Sequence, residues 1–142
     1  MRSVTAPAAL PYRHVLTVPA GPGAVRVARE TAEQALAEWG VDEHHQAVGP
    51  ALLILGELVA NTVRHAAPVS PQTTVFYAAG PDCLVLAVHH RHPYRPDLTG
   101  PDATGPGGLA TVLELTHGLG GTAVVRGDKD GPGKSVWITL PL

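Results

Sequence analysis

The stretch LILGELVANTVRHA, residues 53–66, decides how this chain reads. Leu53, Ile54, Leu58 and Val59 recur at helical spacing and give the segment an apolar side. Glu57 and Asn61 stand four residues apart, so they share one face of that helix. A carboxylate beside a carboxamide has a bland explanation, a polar stripe facing water. It also has a chemical one. An amide oxygen is a hard ligand suited to Mg2+, and a nearby carboxylate can orient or deprotonate a hydroxyl or a water.

The flanking sequence supplies the other elements. The helix is expected to begin between residues 43 and 47 and to end at 66, before Pro68, with Pro50 in its first turn or dividing it. Upstream, HVLTV (14–18) alternates like a strand, and PAGPG (19–23) breaks it. AVRVARETAEQALAEWG (24–40) then has apolar residues at helical spacing and Gly40 as its stop. Residues 1–11 read as a flexible leader and 12–142 as a single domain.

Downstream, TTVFYAA (73–79) and CLVLAVHH (83–90) flank Gly80-Pro81-Asp82 and predict a β-hairpin. Residues 93–108 form a loop rich in proline and glycine. GLATVLELTHGLGG (108–121) is a short helix ended by glycine. TAVVRG (122–127) and SVWITLPL (135–142) are two more strands around the turn DKDGPGK. The order β-α-α-β-β-α-β-β predicts an α+β fold. It would be a two-layer sandwich, a mostly antiparallel mixed sheet covered on one face by about three helices.

Composition narrows the function. Hydrophobic residues make up 44% of the 142 and charged residues 15%, so the chain is globular rather than disordered. A net charge of −2 with dispersed basic residues does not resemble the footprint of a nucleic-acid binder. Cys83 is the only cysteine, which excludes an internal disulfide and a cysteine zinc cluster. No signal-peptide pattern opens the sequence. The apolar run AVGPALLILGELVA is short for a membrane span and holds Glu57. A cytoplasmic location is expected.

Three other stretches invite a chemical reading. TGPGGLATVLEL (104–115) runs glycines into a helix start, where free N–H groups and the positive dipole end favour phosphate. GDKDGPGKS (127–135) approaches a phosphate-binding Walker loop. Five residues rather than four separate Gly127 from Gly133, however, and a strand follows instead of a helix, so a turn between edge strands fits better. VHHRHPYRP (88–96) clusters histidines. On a strand, His90 and His92 share one face and His89 takes the other; the pair lacks a third ligand for Zn2+ and makes too little positive field for nucleic acid.

Taken in order, the ELVAN-type helix, the hairpin, the flexible loop, the Gly-Gly-Leu helix start and the final GKSVWITLPL strand resemble the GHKL ATPase superfamily. The small anti-sigma-factor serine kinases of high-GC bacteria are the most similar in pattern. The resemblance spans roughly residues 14–142 and implies a Bergerat-type fold that binds ATP between helices and sheet, with residues 93–106 as a lid. It implies that Asn61 coordinates Mg2+ on the phosphates and that Glu57 activates a hydroxyl, with Arg64 and His65 following in the same helix. Gly107 and Gly108 would let the backbone approach the phosphates, Leu109 would anchor the helix, and Ser135 would lie near the adenine. The implied partners are a sigma factor and an anti-sigma-factor antagonist protein, with a homodimer as the assembly and neither nucleic acid nor membrane involved.

Two departures stand out. The family places an acid after the strand matching CLVLAV, where it accepts a hydrogen bond from the adenine amino group; here His90 falls at or beside that position. The residue two before Gly108 is Pro106, with Gly105 as the compensating glycine. A neutral imidazole accepts one hydrogen bond but lacks the carboxylate's charge. Losing that charge weakens binding by about 1.5–3 kcal/mol, roughly tenfold to a hundredfold. Two readings follow: an ATP-dependent serine/threonine kinase with weakened nucleotide affinity, or a degenerate member acting through protein–protein contact alone.

Overall fold

In the computed structural model, which describes residues 10–66, 71–91, 109–129, 131 and 133–142, the apolar runs become five strands and three helices. In chain order these are β1 (Tyr12–Pro19), α1 (Ala24–Glu38), α2 (Val48–Ala66), β2 (Gln72–Ala79), β3 (Cys83–His90), α3 (Ala110–Gly118), β4 (Thr122–Gly127) and β5 (Lys134–Pro141). The predicted order holds. Pro50 sits in the first turn of α2 rather than dividing it, where its missing N–H costs no helical bond. The 93–108 loop and most of the expected leader lie outside the described residues.

The sheet has the order β1-β2-β3-β5-β4, and all four pairings are antiparallel. The β2–β3 hairpin turns through Gly80-Pro81-Asp82, where the Gly80 N–H donates to the Cys83 carbonyl at 3.0 Å. The β4–β5 turn is closed by the Asp128 N–H donating to the Gly133 carbonyl at 2.8 Å. A strand does follow this GK-containing turn, so no Walker loop forms.

The helices lie on one face. α1 packs on β1 and β2, α2 on β3, and α3 on β4 and β5. α1 buries Ala24, Ala28, Ala32 and Ala35 with Leu36, and small side chains let a helix approach its neighbours closely. There the Tyr77 hydroxyl, reaching up from β2, donates to the Ala28 carbonyl at 2.9 Å. α2 fills the centre with Ile54, Leu55 and Val59, all fully buried. Among the described residues no helix is long and apolar enough to cross a membrane.

Gly40 stops α1 as its position suggested. At φ +76° it takes the left-handed conformation, and the N–H groups of Gly40 and Val41 close back on the carbonyls of Ala37 and Leu36. α3 ends the same way at Gly120, φ +79°.

Candidate functional site

Strand alternation sorts the sheet's helix-facing side into rows. Three are apolar across β2, β3 and β5, such as Val75, Val88 and Val136 in one row. The row at one end of the sheet differs. It holds Thr73, His90 and Lys134, all buried, with Lys134 fully so. Buried polar side chains gathered at one end of an apolar layer are costly unless satisfied, so such a row marks a place to look for chemistry.

Connectivity brings three more features to this end. Five residues separate the end of α2 at Ala66 from the start of β2 at Gln72, which ties the C-terminal half of α2 here. That half carries Glu57 and Asn61, both half-buried on one face, with Arg64 and His65 exposed beyond them. Between them Thr62 is buried, its hydroxyl donating to the Leu58 carbonyl at 3.1 Å. α3 runs away from this end, because three residues join its last turn to Thr122 at the opposite edge of the sheet. Its N-terminus, with the positive end of its dipole, therefore points toward His90 and Lys134. Leu109 stands at that start and is buried in the core.

His90 and His89 face opposite ways, as alternation required. His90 lies under the helices, while His89 lies on the uncovered face and hydrogen-bonds through Nε2 to Asp128 Oδ2 at 2.9 Å. Gly133 is held between them: a Cβ there would stand 2.7 Å from the His90 carbonyl and 2.5 Å from Asp128 Oδ2. Only glycine fits.

Ser135 does not join Glu57 and Asn61. The register pairs it with His89 and Arg126 on the uncovered face, and the residue that enters the helix-facing row is Lys134. The reason is parity. Lys134, Val136, Ile138 and Leu140 alternate in phase, and three of the four are core residues. That phase was available in the sequence and identifies Lys134 as the inward residue. Gly105, Gly107, Gly108 and His92 lie outside the described residues.

Among the described residues no three His, Cys, Asp or Glu side chains gather as a metal site. The Asn61 amide oxygen and the Glu57 carboxylate are nonetheless a donor set suited to a hard cation that brings most of its own ligands, as Mg2+ does on phosphates. A small void deeper between α1, α2 and the sheet is lined by Ala32, Leu36, Trp39, Tyr77 and Leu86; its largely apolar character makes it a packing feature. Burial, reinforced by the charge of Asp82, pushes the Cys83 thiol up, the opposite of what a reactive cysteine needs.

No family model and no curated protein matches the sequence. Solved structures match the fold. The RsbU and RsbW domains of Rv1364c from Mycobacterium tuberculosis align over 91% of this chain and 32% of theirs, with a TM-score of 0.61 and 23% identity. The histidine kinase domain of the blue-light activated histidine kinase from Erythrobacter litoralis EL346 aligns over 67% of this chain and 44% of its own, with a TM-score of 0.52 and 24% identity. This chain therefore spans about a third of the first and under half of the second. At these identities the likeness establishes a fold shared with these two structures.

Proposed function

We propose that this chain is an ATP-binding regulator of the anti-sigma-factor kinase type, phosphorylating a serine of an antagonist protein and holding a sigma factor when that antagonist is absent. The observation that carries this is the Glu57/Asn61 pair, half-buried on one face of α2, at the sheet end where Thr73, His90, Lys134 and the start of α3 converge. An RsbW domain with the same fold adds weight to the regulatory theme.

ATP, when bound, supplies the phosphoryl group. In this reading the Asn61 amide oxygen would hold Mg2+, and Glu57 would take the proton from the serine hydroxyl as ADP leaves. Arg64 and His65 flank the entrance. Gly105, Gly107 and Gly108 would be the glycines that admit the phosphates, Leu109 would anchor the helix that receives them, and His90 would take the place of the adenine-reading acid. Ser135, on the other face, has no part. The partners are protein, and the setting is cytoplasmic.

A second reading rests on His90. Without a carboxylate for the adenine amino group, the same fold serves as an interaction module that binds no nucleotide. Calorimetry with ATP and Mg2+ separates the two. The expected result is weak wild-type binding, binding about tenfold or more tighter for His90→Asp, and loss of the Mg2+-dependent part for Asn61→Ala. If neither wild type nor a folded His90→Asp binds, the kinase reading fails and the interaction module stands. A kinase assay with purified antagonist should then find Glu57→Ala inactive while it still binds ATP.

A further inference from the structure

Every inward-facing residue of β5 after the first is apolar: Val136, Ile138 and Leu140. The first is Lys134, and it has no exposed surface. An alkyl side chain there would simply extend the core. A buried ammonium instead gives up its hydration, so lysine is almost never fully buried unless something polar meets it. The strand thus breaks its own pattern at one place, and such breaks gather at functional sites. Lys134 pairs in register with His90, which is also buried, at the end of the sheet where the candidate site lies. Residues facing each other on neighbouring strands stand about 5 Å apart at Cβ, close enough to meet one ligand together. Their hydrogen-bonding capacities differ. A neutral imidazole has one nitrogen that donates and one that accepts, so His90 can serve either way. The Thr73 hydroxyl, third in the row, donates to the His89 carbonyl at 3.0 Å and offers a ligand only lone pairs. Lysine has three N–H donors and no acceptor, so it can hold a protein partner and still donate to a ligand. Of the three, Lys134 alone is fixed as a donor.

Resting on the reading that the α2 site takes a nucleoside triphosphate, we infer that Lys134 determines base specificity and that the base it selects is a 6-oxopurine, guanine rather than adenine. The two purines differ at position 6. Adenine carries an amino group there, a donor; guanine carries a carbonyl, an acceptor, with the N7 acceptor beside it. Lysine donates to O6 and N7 of guanine and has nothing with which to receive the adenine amino group. A carboxylate does the reverse, accepting from the amino group and repelling a carbonyl oxygen. At this end of the sheet His90 removes a fixed acceptor and Lys134 adds a fixed donor, so both residues move the row in one direction. A buried donor that meets the wrong edge of a base is left unpaired, which makes the discrimination larger than a lost contact alone. The triphosphate is the same in both nucleotides, so Asn61 and Glu57 keep the roles proposed for them.

Calorimetry on the full chain with Mg2+ and each of ATP, GTP and inosine triphosphate tests it. GTP should bind about tenfold or more tighter than ATP. Inosine triphosphate has the same O6 and N7 without the 2-amino group, and should follow GTP. Lys134→Met keeps the length and the apolar stem, and should bring GTP down to the level of ATP. Lys134→Gln, whose amide both donates and accepts, should bind the two alike. Circular dichroism checks that each variant is folded, and the wild-type comparison of the three nucleotides stands whether or not a variant folds. A wild type that binds ATP as tightly as GTP overturns the inference and leaves the ATP reading standing. A preference for GTP that inosine triphosphate does not share, or that survives in a folded Lys134 variant, overturns the role of Lys134. A wild type that binds none of the three sinks both the inference and the nucleotide reading beneath it.

Discussion

One sheet presents two faces made by the same five strands, and they are built for different ends. Under the helices, β3 offers Leu84, Leu86 and Val88, and β5 offers Val136, Ile138 and Leu140, all in the core. On the reverse, the same strands offer Val85, Ala87 and His89, and Ser135, Trp137 and Thr139. Across β2, β3 and β5 the inner face is apolar until its last row. The outer face is banded, with one aromatic row between two mostly polar ones. Two-residue alternation lets a single strand carry both patterns without conflict.

The contrast can be broken most decisively at Ile138 and Val124. Ile138→Ala empties a fully buried site and should cost about 3 kcal/mol in urea unfolding. Val124→Thr keeps the β-branched shape on the open face and should stay within about 0.5 kcal/mol. Equal losses at the two sites would end the division of labour. Gly133 sits where the faces meet, between His90 and His89. Gly133→Ala should cost about 1–3 kcal/mol through forced displacement of the His90 backbone, with an unchanged urea m-value.

Tyr77 sharpens the inner face through pH. Burial raises its phenol well above the ordinary value near 10. The folded state thus holds this proton more tightly than the unfolded chain does. Its stabilisation is complete below pH about 10 and declines as pH rises beyond that value. Tyr77→Phe should cost about 1 kcal/mol at neutral pH, through loss of the bond to Ala28. It should also flatten the alkaline decline seen by thermal unfolding. The smallest effect is expected at Thr116, whose hydroxyl is buried without a hydrogen-bond partner among the described residues. Thr116→Val should leave stability unchanged or raise it by less than about 1 kcal/mol, because no bond is lost and an unsatisfied group is removed.

Local signals carried much of this architecture. Glycine and proline punctuation with apolar spacing delimits β3 at 83–90 and β4 at 122–127 to the residue, and Gly40 ends α1. Alternation likewise separates His89 from His90. Ser135 is a different case. The GKS pattern drew attention to the serine, while the phase of Val136, Ile138 and Leu140 already turned Lys134 inward. The aromatic band was not legible at all. Val15, Phe76, Ala87, Trp137 and Val124 become neighbours only through register between strands far apart in the chain, and no local pattern encodes that pairing. Of the site, the Glu57/Asn61 spacing was visible within one helix, whereas its association with Thr73 and Lys134 needed the tertiary fold.

The strand order has a consequence for how the molecule is made. β5 is the last of the five strands to leave the ribosome, yet it takes the place between β3 and β4. Until it emerges, β1, β2 and β3 can zip as neighbours beneath α1 and α2, but β4 has nothing to pair with. Completing the sheet then requires joining β5 to β3 across a long stretch of chain, a slow kind of closure. During that interval the edge of β3 stands open to strangers, a template for the wrong pairing.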